Sequence, residues 1–162
     1  MQESSNKIIQ DGEIVSFDTD MVGPYGYCAD ISRAFVCGNK FNEHQKKIYL
    51  TAVEQIDYNS RLIKDGVSFR EFTEKAWILP EKYYGNRYSV MLHGIGLCDE
   101  WPAIRYPTDG GERSGTFQKN MTITLESYIG EVGGNEGVKL EQQYLVGENG
   151  LELMSHHPLE QI

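Results

Sequence analysis

Cysteine is scarce in this 162-residue chain: Cys28, Cys37 and Cys98 are odd in number, and no two stand in a CxxC spacing. That pattern indicates neither a disulfide framework nor a zinc knuckle, and each thiol reads as a small buried residue. Long apolar runs are missing too, since none approaches the ~18 residues of a membrane span. Positive charge is in deficit, with 15 Lys and Arg against 24 Asp and Glu, a net charge of −9. Such a balance argues against nucleic acid and anionic membranes as partners. Met1 to Gln10 is polar, without the apolar core of a signal peptide. Together these absences lead to the expectation of a soluble, cytoplasmic protein in a reducing compartment. Internal repeats and low-complexity segments are absent. The glycines of the loop over 108–115 follow no strand and open no helix, so a phosphate-binding loop is not indicated.

What the chain does have is acid in apolar settings. Asp18 and Asp20 lie in FDTD, on the apolar run Ile14-Val15-Ser16-Phe17, and Asp30 follows in GYCADISRAFV. His93 opens HGIG, Glu126 ends the strand-like MTITLE, and Glu141 sits in GVKLEQQYLV. Side chains two apart on a strand share a face, so Asp18 and Asp20 project together. A turn at Gly23-Pro24-Tyr25-Gly26 folds the next strand back and brings Asp30 beside them. Two carboxylates ~4 Å apart repel by roughly 4 kcal/mol at an effective dielectric near 20. A cluster of five is untenable without cations. Oxygen-rich sites with one imidazole suit divalent Mn, Fe, Co or Zn.

Periodicity gives the frame around these residues. Residues 13–20 and 25–36 read as a β-hairpin. Asn42 and Gln45 have capping-box spacing and open a helix to about Lys64, with Ile48, Ala52, Ile56 and Leu62 or Ile63 as its apolar stripe. Asp65-Gly66 closes it. A second helix starts at Ser68 and carries Phe69, Phe72 and Trp77. Strands are expected over 88–95, 121–130, 137–146 and 151–154. Two ββ units flanking a helical middle suit an α+β domain.

The acidic residues and their motifs resemble the metal-binding set of the creatinase/methionine-aminopeptidase/prolidase superfamily, whose catalytic domain has the pita-bread fold. Its two strand aspartates, its His before GIG, its Glu after an LTIE-like strand and its Glu in GVRIED have counterparts here in FDTD, CADISRAF, HGIG, MTITLE and GVKLE. The resemblance runs from about Gly12 to Gly150. It implies a single domain over 1–162 that forms the C-terminal portion of that fold, a curved antiparallel sheet with flanking helices. The helical first half is expected to be missing, because Met1 to Gln10 resembles mid-domain sequence. A homodimer is also implied.

Departures from the peptidase pattern are specific. The peptidases carry a single first Asp where this chain has Asp18 and Asp20. Xaa-Pro peptidases show a His several residues before GHGIG and another in HExP, but here Leu92 precedes His93 and the downstream stretch is Cys98-Asp99-Glu100-Trp101-Pro102. The doubled Asp, MVGPYGYCADISRAF and HGIGLCDEWP look like the DddP-type dimethylsulfoniopropionate (DMSP) lyases of this superfamily. That resemblance implies two divalent metal ions, iron first, on Asp18, Asp20, Asp30, His93, Glu126 and Glu141. It also implies Asp99 as base and Tyr88 as a substrate contact.

The substrate would be a small zwitterion with a carboxylate at one end and a dimethylsulfonium at the other. Trp101, Tyr88 and Tyr106 are the aromatics near the motif whose faces would attract that cation. Burial beside Trp101 would make Asp99 a stronger base. The rivals are a proline-directed peptidase or creatinase-like hydrolase on the same metals, and a catalytically silent fragment.

Overall fold

The computed structural model of the chain describes residues 6–38, 40–110, 114–159 and 162. Its first unit is a hairpin interrupted at its middle. Strands β1 (Ile14–Asp18), β2 (Met21–Val22), β3 (Cys28–Ala29) and β4 (Ser32–Val36) pair antiparallel, β1 with β4 and β2 with β3. Register continues across the break: Asp18 stands opposite Ser32 and Met21 opposite Ala29, which sets Asp20 across from Asp30. Like charges directly opposite destabilise a ladder. In its place the Thr19 hydroxyl donates to the Ile31 carbonyl at 2.9 Å. The expected hairpin is there, with the break falling at the aspartates. At its tip the chain turns through Pro24–Gly26, with Tyr25 and Gly26 at φ 63° and 81°.

Helix α1 (Glu43–Ser60) opens with the expected capping box: Gln45 N donates to Asn42 Oδ1 at 2.9 Å and Asn42 N to Gln45 Oε1 at 3.0 Å. Ile48, Ala52 and Ile56 are buried along it, but the helix stops before Leu62 and Ile63. Its end tightens into turns, with Leu62 N donating to Asn59 O at 3.1 Å and Ile63 N to Ser60 O at 3.4 Å, the narrower i→i+3 pattern. The second helix, α2 (Phe69–Lys75), is shorter than expected. Trp77 lies beyond it because its backbone N–H is given to Asn59 Oδ1 at 2.8 Å, not to a helical carbonyl. A short α3 (Glu81–Tyr84), not anticipated from the sequence, follows.

The remaining strands are β5 (Val90–Gly94), β6 (Ala103–Arg105), β7 (Thr122–Gly130), β8 (Gly137–Val146) and β9 (Leu151–Leu153). They form one antiparallel sheet in the order β6-β5-β7-β8-β9. Only β6 was not read from the sequence. Of the loop expected over 108–115, residues 111–113 lie outside the described residues, as do residues 1–5 of the amino-terminal stretch. The two faces of β7 and β8 differ in chemistry. Leu125, Ile129, Val138 and Leu140 are fully buried on the face that meets α1, where Ser127 Oγ donates to Gln55 Oε1 at 2.7 Å. The opposite parity carries Thr124, Glu126, Lys139 and Glu141, joined by His93 from β5 opposite Thr124. Strand β4 packs against β8 through Arg33, whose guanidinium donates to the carbonyl of Glu141 at 2.5 Å and to those of His157 at 2.6 Å and Pro158 at 2.9 Å. Among the described residues no helix is long and apolar enough to cross a membrane. None of the cysteines is buried as expected: Cys28 and Cys37 are half-buried and Cys98 is exposed.

The capping box is the most local of these devices. Asn42→Ala should cost about 1 kcal/mol and lower the melting temperature by about 2–4 °C in a thermal denaturation followed by circular dichroism. An unchanged melt would show that tertiary packing alone fixes the start of α1.

Candidate metal centre

Glu126 and Glu141 stand directly opposite one another on β7 and β8. Both are buried, at 3% and 0% exposure, as are Asp30 at 3% and His93 at 2%. His93 Nδ1 lies 3.0 Å from its neighbour's carbonyl, Gly94 O, which only accepts, so Nδ1 carries a proton. Nε2 then faces the acids: it stands 3.3 Å from Glu126 Oε1, 3.3 Å from Glu141 Oε1 and 3.7 Å from Asp30 Oδ2. Donor atoms of Asp30, His93 and Glu141 all lie within 4.8 Å of one another. A second group of the same tightness joins Asp20, Asp30 and Asp99. Asp30 belongs to both. The site therefore has a buried end at the sheet and a rim, with the exposed Asp20 and half-buried Asp99, linked by one carboxylate.

Asp18, an exposed residue, turns its carboxylate toward the buried end. Its carboxylate accepts from the Ser32 hydroxyl, which also donates to Glu141 Oε2 at 2.9 Å, and it lies 3.4 Å from the Lys139 ammonium. The hairpin is docked by Cys28 N, which donates to Gly96 O in the HGIG turn at 2.7 Å. Asp99 arrives by close packing of the next loop. A Cβ at Gly94 would sit 2.2 Å from the Trp101 carbonyl oxygen, so glycine is required where that loop crosses β5. Glu100 N donates to Asp99 Oδ1 at 2.9 Å and fixes the side chain.

Of the expected substrate contacts, Tyr88 is half-buried, with its ring centroid 5.1 Å from Lys139 Nζ. Burial, then Glu126 and Glu100, push its phenol up to about 12. Trp101 stands at the rim, 64% exposed, so the shelter expected for Asp99 is not provided by the indole. Tyr106 is a core residue instead, accepting from Gln55 Nε2 at 2.6 Å.

The sequence reading passed over Lys139. It is only 2% exposed and sits among the acids, 2.5 Å from Glu126 Oε2 and 3.2 Å from Glu141 Oε2. The available signal was its spacing: two residues before Glu141 on one strand, it must share that residue's face.

The donor set fits a divalent metal. Asp30 Oδ1, Glu126 Oε1 and Glu141 Oε1 are buried and accept no hydrogen bond. Buried acceptors left unsatisfied are costly, and here two of them converge on an imidazole nitrogen. Oxygens with one imidazole are ligands for borderline divalent ions, and a ligating His that donates Nδ1–H to a carbonyl has the usual supporting bond. Charge tells the same story. Burial, then Glu141, Asp20 and Asp18, raise Asp30 to about 9. Burial works against a charged His93, but Glu126 and Glu141 outweigh it and raise the imidazole to about 11. For Glu141, His93 and Lys139 outweigh burial and bring it down to about 2.

These features make a candidate metal centre. The sequence pattern of metallopeptidase family M24 matches residues 1–148, and the chain belongs to that family. It is 38% identical over 162 residues to the dimethylsulfoniopropionate lyase DddP of Roseovarius nubinhibens, covering 98% of this chain and 36% of that relative. Among solved structures, the Xaa-Pro dipeptidase from Bacillus anthracis superposes with a TM-score of 0.77 at 30% identity, over 98% of this chain and 43% of that one. The X-Pro aminopeptidase from Thermotoga maritima gives 0.77 at 26%, over 98% and 44%. The expected superfamily and its α+β pita-bread fold are thus both established. The chain spans less than half the length of each of these proteins.

A pH dependence follows from the raised Asp30 and His93. In the metal-free chain at neutral pH, Asp30 and His93 each hold a proton on an atom that ligation requires bare. Metal uptake must release those protons, so affinity should rise with pH. Calorimetric titration with Mn²⁺ between about pH 6 and pH 8 should show roughly ten- to hundredfold tighter binding per pH unit. Affinity independent of pH would contradict the assignment of these ligands.

Proposed function

We propose that this chain carries the metal centre of a carbon–sulfur lyase that cleaves DMSP to dimethyl sulfide and acrylate. The observation that carries this reading is the carboxylate of Asp99, within 4.8 Å of the donor atoms of Asp20 and Asp30 yet additional to the six metal candidates. The 38% identity to a protein named as a DMSP lyase supports it. Asp18, Asp20, Asp30, His93, Glu126 and Glu141 would hold two divalent ions, iron first, with manganese, cobalt or zinc suiting the same donors. When bound, such ions supply Lewis acidity toward the substrate carboxylate.

The chain's own residues account for the rest. Asp99 takes a proton from the carbon next to the substrate carboxylate. The electrons of that C–H bond form the double bond of acrylate, the C–S bond breaks, and its electron pair leaves on neutral dimethyl sulfide. Glu100 N, bonded to Oδ1, leaves Asp99 Oδ2 as the proton acceptor. Tyr88, with its phenol held up at about 12, stays a hydrogen-bond donor at working pH and would grip the substrate carboxylate. Trp101 at the rim would meet the sulfonium, an attraction of roughly 0.5–2 kcal/mol.

A hydrolase is the second reading, supported by the Xaa-Pro peptidases among the solved neighbours. Against it, the other histidines are remote in character from the site: His44, His156 and His157 are exposed, and His157 stacks edge-on against Phe35. Headspace dimethyl sulfide from the metal-loaded chain given DMSP separates the two. Asp99→Asn should reduce release at least about 100-fold with metal content unchanged. Full release from that variant, or cleavage of a Xaa-Pro peptide without lyase activity, would overturn the proposal.

A further inference from the structure

Lys139 divides the oxygens of the carboxylates around it. Its ammonium takes Glu126 Oε2 at 2.5 Å and Glu141 Oε2 at 3.2 Å, and reaches Asp18 Oδ2 at 3.4 Å. Ser32 adds a second donor to Glu141 Oε2 at 2.9 Å. The other oxygen of each glutamate, Oε1, accepts no hydrogen bond, and both stand 3.3 Å from His93 Nε2. The lysine is 2% exposed and lies 5.1 Å from the Tyr88 ring centroid, so water does not compete for these contacts. A charge-assisted bond to one oxygen of a carboxylate fixes the plane of the group and the direction of the other. Two opposed glutamates would otherwise turn away from one another.

We infer that Lys139 is a positioning residue of the metal centre, holding Glu126 and Glu141 so that each offers a single oxygen, Oε1, to a cation beside His93. This rests on the metal-centre reading above. A purely electrostatic lysine would act differently. As a mere counter-charge it would repel an incoming cation, and its removal would tighten metal binding without altering the coordination.

Co²⁺ is a suitable probe, because its visible bands weaken as coordination number rises. In the unsubstituted chain Co²⁺ should give a stoichiometric visible spectrum. Lys139→Arg should retain that spectrum, since a guanidinium can hold the same oxygens. Lys139→Met frees Glu126 Oε2 and leaves Glu141 Oε2 to Ser32 alone, so the bands should weaken and Co²⁺ affinity should fall roughly 10- to 100-fold, the usual loss when an outer partner of a ligand is removed. Should Lys139→Met fail to fold, Lys139→Gln is read in its place. It keeps at most part of the contact set, and its bands should weaken likewise. Unchanged bands, or tighter Co²⁺ binding, in the uncharged variant would overturn the positioning role. Failure of the unsubstituted chain to take up Co²⁺ would instead overturn the metal-centre reading itself.

Discussion

Glu126 and Glu141 face one another across two central strands, both buried, and their repulsion is the constraint around which the rest is arranged. At ~4 Å a pair of carboxylates repels by roughly 4 kcal/mol even at an effective dielectric near 20. Asp18 adds to the same field, and burial beside these acids raises Asp30 so that it keeps its proton at neutral pH. The fold answers with positive charge from inside: Lys139 on the same strand face as Glu141, and His93 from the neighbouring β5. The answer is incomplete, since Asp30 Oδ1, Glu126 Oε1 and Glu141 Oε1 accept no hydrogen bond. That residue of unsatisfied acid is what makes the site a candidate receptor for a divalent cation.

The surrounding architecture can be read as a way of assembling this charge. One face of β7 and β8 packs on α1 and is apolar; the other keeps the acids. The interrupted hairpin brings Asp18 to the buried end and Asp20 to the rim, with Asp30 serving both ends. The loop after HGIG presses its backbone onto Gly94 and delivers Asp99 to the same rim. A buried end rich in ligands and a rim with one extra carboxylate suit a reaction in which binding and proton transfer are done by different residues.

Much of this was legible in the sequence because it depends on short-range rules. The Asn42 and Gln45 capping box forms as written, and Asp18, Glu126 and Glu141 sit on expected strands, whereas Asp20 and Asp30 fall in the break of the hairpin. The misses have a common origin in tertiary contacts. Trp77 leaves its helix for a hydrogen bond to Asn59 on another element. Tyr106 turns to Gln55 and the core, although its place after HGIG suggested the site. Lys139 was passed over because a strand lysine is ordinarily solvated, whereas here Asp18 of β1, Glu126 of β7 and the Tyr88 ring stand beside it and it is 2% exposed. Its two-residue spacing from Glu141 was visible, but not the burial that gives the spacing meaning.

On this reading a cation would sit among His93 Nε2 and the facing oxygens of Asp30, Glu126 and Glu141. Anomalous diffraction from crystals grown with Mn²⁺ or Fe²⁺, collected at the metal's absorption edge, tests it most directly. A peak is expected about 2.0–2.2 Å from His93 Nε2 and from the Oε1 atoms of both glutamates. Peaks confined to the exposed acids elsewhere on the surface, with the lysine-held glutamates empty, would contradict it.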